Sequence, residues 1–262
     1  DWWQANFPQA AAQLHAQLQH RGLDIKDYVP LPAHPWQAQE ELPRSFANEI
    51  GDNLLIVTDI VAFTGHPTMS FRTLVPDASR TAPMVKLPVA LRLTSVQRTV
   101  SPRSARMGPR ISQLLLQILD QEPHIQRLLN IVPERIGVHY APQPVNDEHS
   151  RHAAVLYRDN PLSLLQAGEM AVPVGSLFAV DEHHQPLLRQ WVRLAQGRDD
   201  SEAMQAFFRD YLAIAVPSLL GIYLIYGVAF EAHQQNSFMV MAADGQLSHL
   251  LLRDFGDIRI DR

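Results

Sequence analysis

Cysteine is absent from the 262-residue chain, which excludes disulfides and thiolate metal sites. Charge is sparse: charged residues make up 19% of the chain, the formal net charge is −5, and no long basic run occurs. That argues against nucleic acid as the main partner, while local basic residues remain able to hold a small anion. A Gly-x-x-x-x-Gly-Lys loop is missing, so this is not a P-loop protein. His-Glu-x-x-His is missing too, although twelve histidines keep imidazole metal sites open. No internal repeat or signal-peptide pattern stands out. What is present is core material. Hydrophobic residues at 46% make the chain globular, with enough apolar side chain for one large domain or two small ones.

Tyr211 to Phe230 lacks any charged residue and matches the length of a bilayer span. Pro217, Ser218, Gly221 and Gly227 interrupt it. Arg209-Asp210 and Glu231 bound it without a basic flank on either side. The expectation is a buried core helix and no membrane contact.

The stretch Phe230-Glu231-Ala232-His233-Gln234-Gln235-Asn236 follows that run. Polar groups that bind metals or phosphates crowd there, at the end of an apolar segment. Beyond it, Asp244-Gly245 separates Ser237–Ala243 from Gln246–Arg253, a hairpin signal. A two-residue loop sets Ala243 opposite Gln246 and Met239 opposite Leu250. Continued back, Asn236 faces Arg253 and Gln235 faces Asp254. Directly opposed residues share a sheet face. Asp254 is thereby brought to Gln235, one step from Glu231 and His233. Two acids and a carboxamide suit a hard cation of the Mg²⁺ kind. A buried polar network closing the hairpin base fits the same spacing.

A second constellation is cationic. Val85, Leu87, Val89, Leu91 and Leu93 alternate with Lys86, Pro88, Ala90, Arg92 and Thr94, so the apolar set is expected in the core. Lys86, Arg92 and Thr94 share the other face, with Arg98 following if the chain stays extended. Pro88 suggests an edge or a bulge. Thr68 to Val75 reads as a neighbouring strand, with Ser70 and Arg72 on one face and Phe71, Thr73 and Val75 on the other. Ser70, Arg72, Lys86, Thr94 and Arg98 together make a polyphosphate cradle; an ordinary solvated face is the bland alternative. With an acidic metal site elsewhere, the cradle implies a nucleoside triphosphate and its Mg²⁺.

The rest of the chain reads as α+β. Phe7 to His20 is an amphipathic helix stopped by Gly22. His34-Pro35-Trp36-Gln37 restrains a histidine before proline, either aimed at something or packed under Trp36. Asn53 to Thr64 reads as one or two strands, as do Ile136 to Tyr140 and Ala153 to Tyr157. Gly108 to Leu129 is helical. Asn160-Pro161 caps a short helix, Val172 to Val180 is extended, and Pro186 to Gln196 is helical. Gly197–Asp200 is the expected boundary between an antiparallel sheet region, 1–197, and a mainly helical region with the hairpin, 198–262. Ser201 to Ala232 is expected as one or two long helices.

Five elements in order resemble one family: His34-Pro35-Trp36-Gln37, Ser70-Phe71-Arg72-Thr73, the Lys86…Thr94…Arg98 strand, Glu231-Ala232-His233-Gln234-Gln235-Asn236 and Arg253-Asp254-Phe255-Gly256. They are similar to the aerobactin synthetase family, IucA/IucC, the NRPS-independent siderophore synthetases. The resemblance implies a hand-shaped enzyme, fingers-like over 1–197 and opening a palm-like region over 198–262. It implies Mg-ATP-dependent adenylation of citrate or a related carboxylic acid, then attack by an amine or alcohol, releasing AMP and pyrophosphate. Ser70, Arg72, Thr73 and Lys86 would hold the phosphates. Arg98 would bridge the α-phosphate and the acid, with Thr94 nearby. His233 would stabilise the α-phosphoryl charge, Gln235 and Asn236 would contact nucleotide or metal, and Glu231 and Asp254 would hold Mg²⁺. A cytoplasmic protein, a homodimer among its possible states, completes the expectation.

Two departures qualify the match. Gln234 stands where the family has Gly, which matters if that residue caps a helix in the left-handed region. An earlier Gly-His-Pro-x-His-Pro-type motif and the completing C-terminal portion are not matched. The expectation is the central part of a longer synthetase, a piece that need not be active alone. Another Mg-ATP-dependent phosphotransferase and a non-catalytic nucleotide- or anion-binding domain are the alternative readings.

Overall fold

The computed structural model describes residues 2–93, 96–256 and 258–261. The chain forms two compact units, Asp1–Met107 with Arg135–Asp159, and Gly108–Glu134 with Asn160–Arg262. The mixed α+β class is as expected. The Gly197–Asp200 turn falls inside the second unit. There Gly197, at φ 71°, ends helix Leu187–Gln196, and the Asp200 side chain caps helix Ser201–Tyr226 by accepting from the Ala203 N–H. Local stop and start signals thus sit between helices that pack together, because both bury apolar side chains in one core.

The first unit carries β1 (Gly65–Pro67), β2 (Thr73–Pro76), β3 (Met84–Lys86), β4 (Val89–Leu93) and β5 (Val96–Arg98). After β6 (Leu129–Ile131) of the second unit come β7 (Glu134–His139) and β8 (Ala154–Arg158). The main sheet has the order β1-β2-β3-β8-β7, while β4 and β5 form a separate ribbon. Helix Pro8–His20 lays Phe7 and Ala10 against a core of Val85, Leu87, Val155 and Tyr157. Trp3 anchors the N-terminal turn through its indole N–H to the Tyr157 hydroxyl at 3.0 Å.

The long strand expected over Val85–Thr94 is broken at Leu87-Pro88, since proline gives the ladder no N–H. Val85, Leu87 and Val89 are buried as expected, but Leu91 is 40% exposed. Thr94 and the side chain of Leu93 lie outside the described residues. The strand expected over Thr68–Val75 starts only at Thr73. Thr68 to Arg72 instead form the β1–β2 turn, closed by Thr68 N–H to Thr73 O at 2.9 Å and Thr73 N–H to Ser70 O at 2.8 Å. Residues 53–64 have no ladder partner among the described residues and run irregularly; Ile60, Ala62 and Phe63 still pack on the core.

Gln37 is wholly buried at the start of a π-helical turn, Gln37–Glu41. Its Oε1 accepts from the Ala90 N–H and its Nε2 donates to the His152 carbonyl, both at 2.9 Å. One side chain therefore pins β4 to the segment before β8.

In the second unit, β9 (Met170–Pro173), β11 (Ser237–Met241) and β12 (Leu247–Leu252) join β6 in the order β6-β12-β11-β9, with the short β10 (Val228–Ala229) paired to β13 (Arg259–Ile260). Helix Ser201–Tyr226 is long and apolar enough to cross a membrane by length and composition. It buries Ala203, Phe207, Ala215, Ser218 and Ile222. Its other face exposes Phe208, Leu212, Val216, Leu220 and Leu224. The expected buried core helix is thus buried on one face only, because the sheet and neighbouring helices reach it from one side. It also ends at Tyr226, six residues before Ala232, where Gly227 takes the left-handed region at φ 65°.

The Asp244-Gly245 hairpin forms, with one residue more in its loop than expected. Ala242 N–H bonds to Gln246 O at 2.8 Å and Gly245 N–H to Ala242 O at 2.9 Å, so Ala243, Asp244 and Gly245 make the loop. Gly245, at φ 83°, fills the left-handed position such a loop requires. A bulge then skips Ser248: Met241 pairs with Leu247 and Val240 with His249. The two irregularities cancel. Met239 faces Leu250, and Arg253 N–H reaches Asn236 O at 3.0 Å, the expected register.

Two measurements check this packing. Gln37→Leu strands the Ala90 N–H and the His152 carbonyl, at a cost of about 1–3 kcal/mol for each. Urea unfolding should show a lowered midpoint at constant slope, and an unchanged midpoint would refute the pin. Asp254, just past the hairpin, stands at φ 69°. Asp254→Gly and Asp254→Ala both lose the carboxylate, but only alanine keeps the backbone cost. The glycine variant should be the more stable by about 1 kcal/mol; equal melting would mean the backbone relaxes there.

Candidate functional site

The cationic set belongs to the first unit. Lys86 sits in the middle of the sheet, 6% exposed, opposite Thr73 on β2 and Leu156 on β8. Opposed residues share a face, so Thr73 lies on the face of Lys86. Spacing alone had assigned Thr73 the other face from Arg72. The turn at Thr68–Arg72 breaks the alternation on which that assignment rested. Ser70 and Arg72 lie in the turn rather than on the strand. Ser70 shapes it by accepting at its carbonyl from Thr73 N–H and from the Thr68 hydroxyl at 3.3 Å. Arg72 accepts at its carbonyl from Leu87 N–H at 2.9 Å, and its guanidinium donates to the Thr99 carbonyl.

Arg98 ends β5, opposite Val89 and half-buried. Among the described residues no hydrogen bond or ion pair engages its guanidinium. Arg92 is exposed on the same ribbon. Thr94, expected beside the acid, lies outside the described residues.

Thr99 and Arg151 were not singled out in the sequence. Arg151 Nε donates to Thr99 Oγ1 at 2.6 Å, and its Nη1 to Glu148 at 2.8 Å. No spacing rule reveals a contact between residues so far apart in the chain. The histidine of the His34-Pro35-Trp36-Gln37 motif accepts the Trp36 N–H at Nδ1, 3.2 Å away. Burial holds the His34 imidazole below its usual pKa, which keeps the ring neutral and able to accept. His152 is lowered for the same reason, against an opposing pull from Glu41.

The acidic set belongs to the second unit, in the loop between β10 and β11. Asn236 is buried; its Nδ2 donates to the Glu231 carbonyl at 3.2 Å and lies 3.5 Å from His233 Nε2. His233 Nε2 is 3.8 Å from Glu231 Oε1. Glu231, His233, Gln234 and Gln235 are exposed. Gln234 is not at a helix cap, since the helix has already ended at Gly227, and it adopts no positive φ. Its carbonyl accepts from Gly175 N–H at 3.1 Å, so the glutamine departure carries no left-handed strain. Glu231 and Asp254 line one shallow indentation with Phe230, Leu252 and Phe255.

The oxygen donors lining that indentation are the two carboxylates, with Arg253 beside them, and Asn236, buried in the same loop, is not part of its lining. Among the described residues no three His, Cys, Asp or Glu side chains gather closely enough to hold a metal. An all-oxygen set of this size fits Mg²⁺, which retains waters and takes substrate phosphate oxygens. It does not fit a closed zinc site.

The family model described as "IucA / IucC family" matches residues 1–179, and one described as "Ferric iron reductase FhuF-like transporter" matches residues 205–262. Protein y4xN of Sinorhizobium fredii is 37% identical over 262 residues, covering 99% of this chain and 41% of that protein. Aerobactin synthase of Escherichia coli is 28% identical over 267 residues, covering 97% of this chain and 44% of the enzyme. The chain therefore spans under half the length of these relatives. Among solved structures, petrobactin biosynthesis protein AsbB of Bacillus anthracis superposes with a TM-score of 0.84 at 23% identity, over 96% of this chain and 41% of that one. ATP-bound aerobactin synthetase IucA of Klebsiella pneumoniae gives 0.71 at 23% identity, over 88% and 40%. The fold is thus that of the synthetases, and the sequence match, which runs from the N-terminal helices through β9, agrees with it: this chain belongs to the IucA / IucC family.

Proposed function

We propose that the protein of which this chain is part builds a siderophore for iron acquisition, by joining a citrate-type carboxylic acid to an amine or alcohol at the expense of ATP. The observation that carries this reading is Arg98, a guanidinium with no partner among the described residues, beside a turn and sheet that present Arg72, Thr73 and Lys86. Family membership supplies the reaction class. Cytoplasmic action and a homodimer belong to the same reading.

The chemistry sets two anions against each other, a carboxylate and the α-phosphate of ATP. Fixed cations lower that barrier by preorganised electrostatics. Lys86, Arg72, Thr73 and Ser70 bind the phosphates. Arg98 contacts the α-phosphate and the attacking carboxylate, since its planar fork serves two oxygens at once. Thr94, near Arg98 in sequence, is the residue the family resemblance assigns to the acid. By the family resemblance, His233 is the residue that would stabilise the α-phosphoryl charge, and Gln235 and Asn236 those that would contact nucleotide or metal. Glu231, Asp254 and Asn236 would hold Mg²⁺, which when bound offsets phosphate charge. Attack of the carboxylate on the α-phosphorus expels pyrophosphate and leaves an acyl-adenylate; the amine or alcohol then attacks its carbonyl carbon, loses a proton and displaces AMP.

The reading is tested by acid-dependent pyrophosphate release from the full-length protein. Arg98→Ala should lose about a hundredfold in rate, the cost of one transition-state contact near 3 kcal/mol. His34→Ala, whose ring serves the Trp36 N–H, should lose much less. Equal small losses would remove Arg98 from the reacting centre, and ADP in place of AMP would favour a phosphotransferase. For the metal, Glu231→Gln should raise the Mg²⁺ concentration for half-maximal rate about tenfold, an effect near 1.4 kcal/mol. An unchanged Mg²⁺ titration would take Glu231 out of the metal site.

A further inference from the structure

Arg98 ends a ribbon held at its other strand. β4–β5 is two-stranded and, among the described residues, hydrogen-bonds to no other named strand; Gln37 fixes β4 at Ala90, and on the β5 side the hold comes from the residue after Arg98. The residue after Arg98 is held from two sides. Thr99, 7% exposed, receives the Arg72 guanidinium at its carbonyl and the Arg151 Nε–H at its hydroxyl, 2.6 Å away. Val100 N–H donates to the Arg151 carbonyl at 3.3 Å, so Arg151 grips the chain by backbone as well as side chain. Arg151 is itself fixed by Glu148 and stands at the end of the short helix Asp147–Ser150. His149 of that helix bonds to Glu49 at 2.7 Å and stacks on Phe46, with ring centroids 3.9 Å apart. A continuous series of contacts therefore runs from the helical segment around Phe46 to the peptide that carries Arg98.

We propose that Thr99, clamped by Arg151, is a positioning residue that sets where the Arg98 guanidinium meets an anion. Arg72 links the same peptide to the cradle strand, since its carbonyl holds Leu87 N–H and its guanidinium holds Thr99. The clamp thus fixes the spacing between the Lys86 and Arg98 backbones. A short, charge-assisted bond from Arg151 to a hydroxyl is directional, and valine in place of threonine keeps the shape while removing the acceptor. The proposal rests on the reading that Arg98 contacts a phosphate.

The test is binding of inorganic tripolyphosphate by the full-length protein, measured calorimetrically beside pyrophosphate release. Thr99→Val should weaken tripolyphosphate about tenfold and lower kcat by a similar factor with little change in melting temperature. Thr99→Ser, which keeps the hydroxyl, should restore both to within about twofold, and Arg151→Lys should behave like Thr99→Val. In an Arg98→Ala background Thr99→Val should cost nothing further, because its effect passes through Arg98. Thr99→Val indistinguishable from wild type, or a full additional loss in the Arg98→Ala background, would overturn the proposal. So would a wild-type protein that does not bind tripolyphosphate. Binding effects that follow this pattern without any acid-dependent pyrophosphate release would keep the clamp and remove the synthetase reading instead.

Discussion

A lysine inside a sheet constrains much of the first unit. Lys86 is flanked in the chain by Val85 and Leu87, both buried in the core beneath the sheet. Strand alternation then forces its side chain to the opposite face, among β2 and β8 neighbours and almost out of water. A buried ammonium costs several kcal/mol unless its surroundings compensate. Its face of the sheet carries the hydroxyl of Thr73 opposite it but also the buried Met84 and Leu156, and the turn before Thr73 places Ser70 and Arg72 just ahead of that strand.

The arginines around this strand divide by how they are held. Arg72 and Arg151 spend donors on Thr99, and Arg151 also on Glu148. Arg98, next to Thr99 in the chain, spends none on any described residue. Two tethered guanidiniums and one unengaged guanidinium describe a site in which structure and ligand binding are assigned to different side chains. In the second unit the backbone tells a similar story. Asp254 keeps a carboxylate at a positive φ, where glycine would sit at less cost, and that carboxylate lines the same indentation as Glu231. Strain retained at an acidic residue is the kind of local inconsistency expected where a side chain is needed for function.

The hairpin shows how far a sequence rule reaches. Asp244-Gly245 located the turn, and alternation paired Met239 with Leu250. The loop is one residue longer than the rule gives, and the bulge at Ser248 removes the error again. A burial constraint on the inner face explains the recovery: Met239, Met241, Leu250 and Leu252 all belong to one core, and a one-residue slip would turn them to the other face. Where no such core disciplined the chain, the rule failed. Residues 53–64 have strand composition but no ladder partner among the described residues, and the apolar run leaves the core at Leu91, although Val89 just past Pro88 stays buried.

Sequence by itself determined the local features. Caps at Asn160, Gly197 and Asp200, the helices they bound, the hairpin, and the alternation that buries Val85 and Leu87 follow from neighbours a few residues apart. The family motifs were legible for the same reason, since each is a short run with fixed spacing. Tertiary structure decided what lies between distant residues. It placed Thr73 with Lys86, ended the long helix at Gly227 before the acidic loop, set Gln37 between Ala90 and His152, and closed Arg151 on Thr99. Those contacts join segments tens of residues apart, and their geometry depends on how the sheet, turns and helices pack together, which no local periodicity encodes.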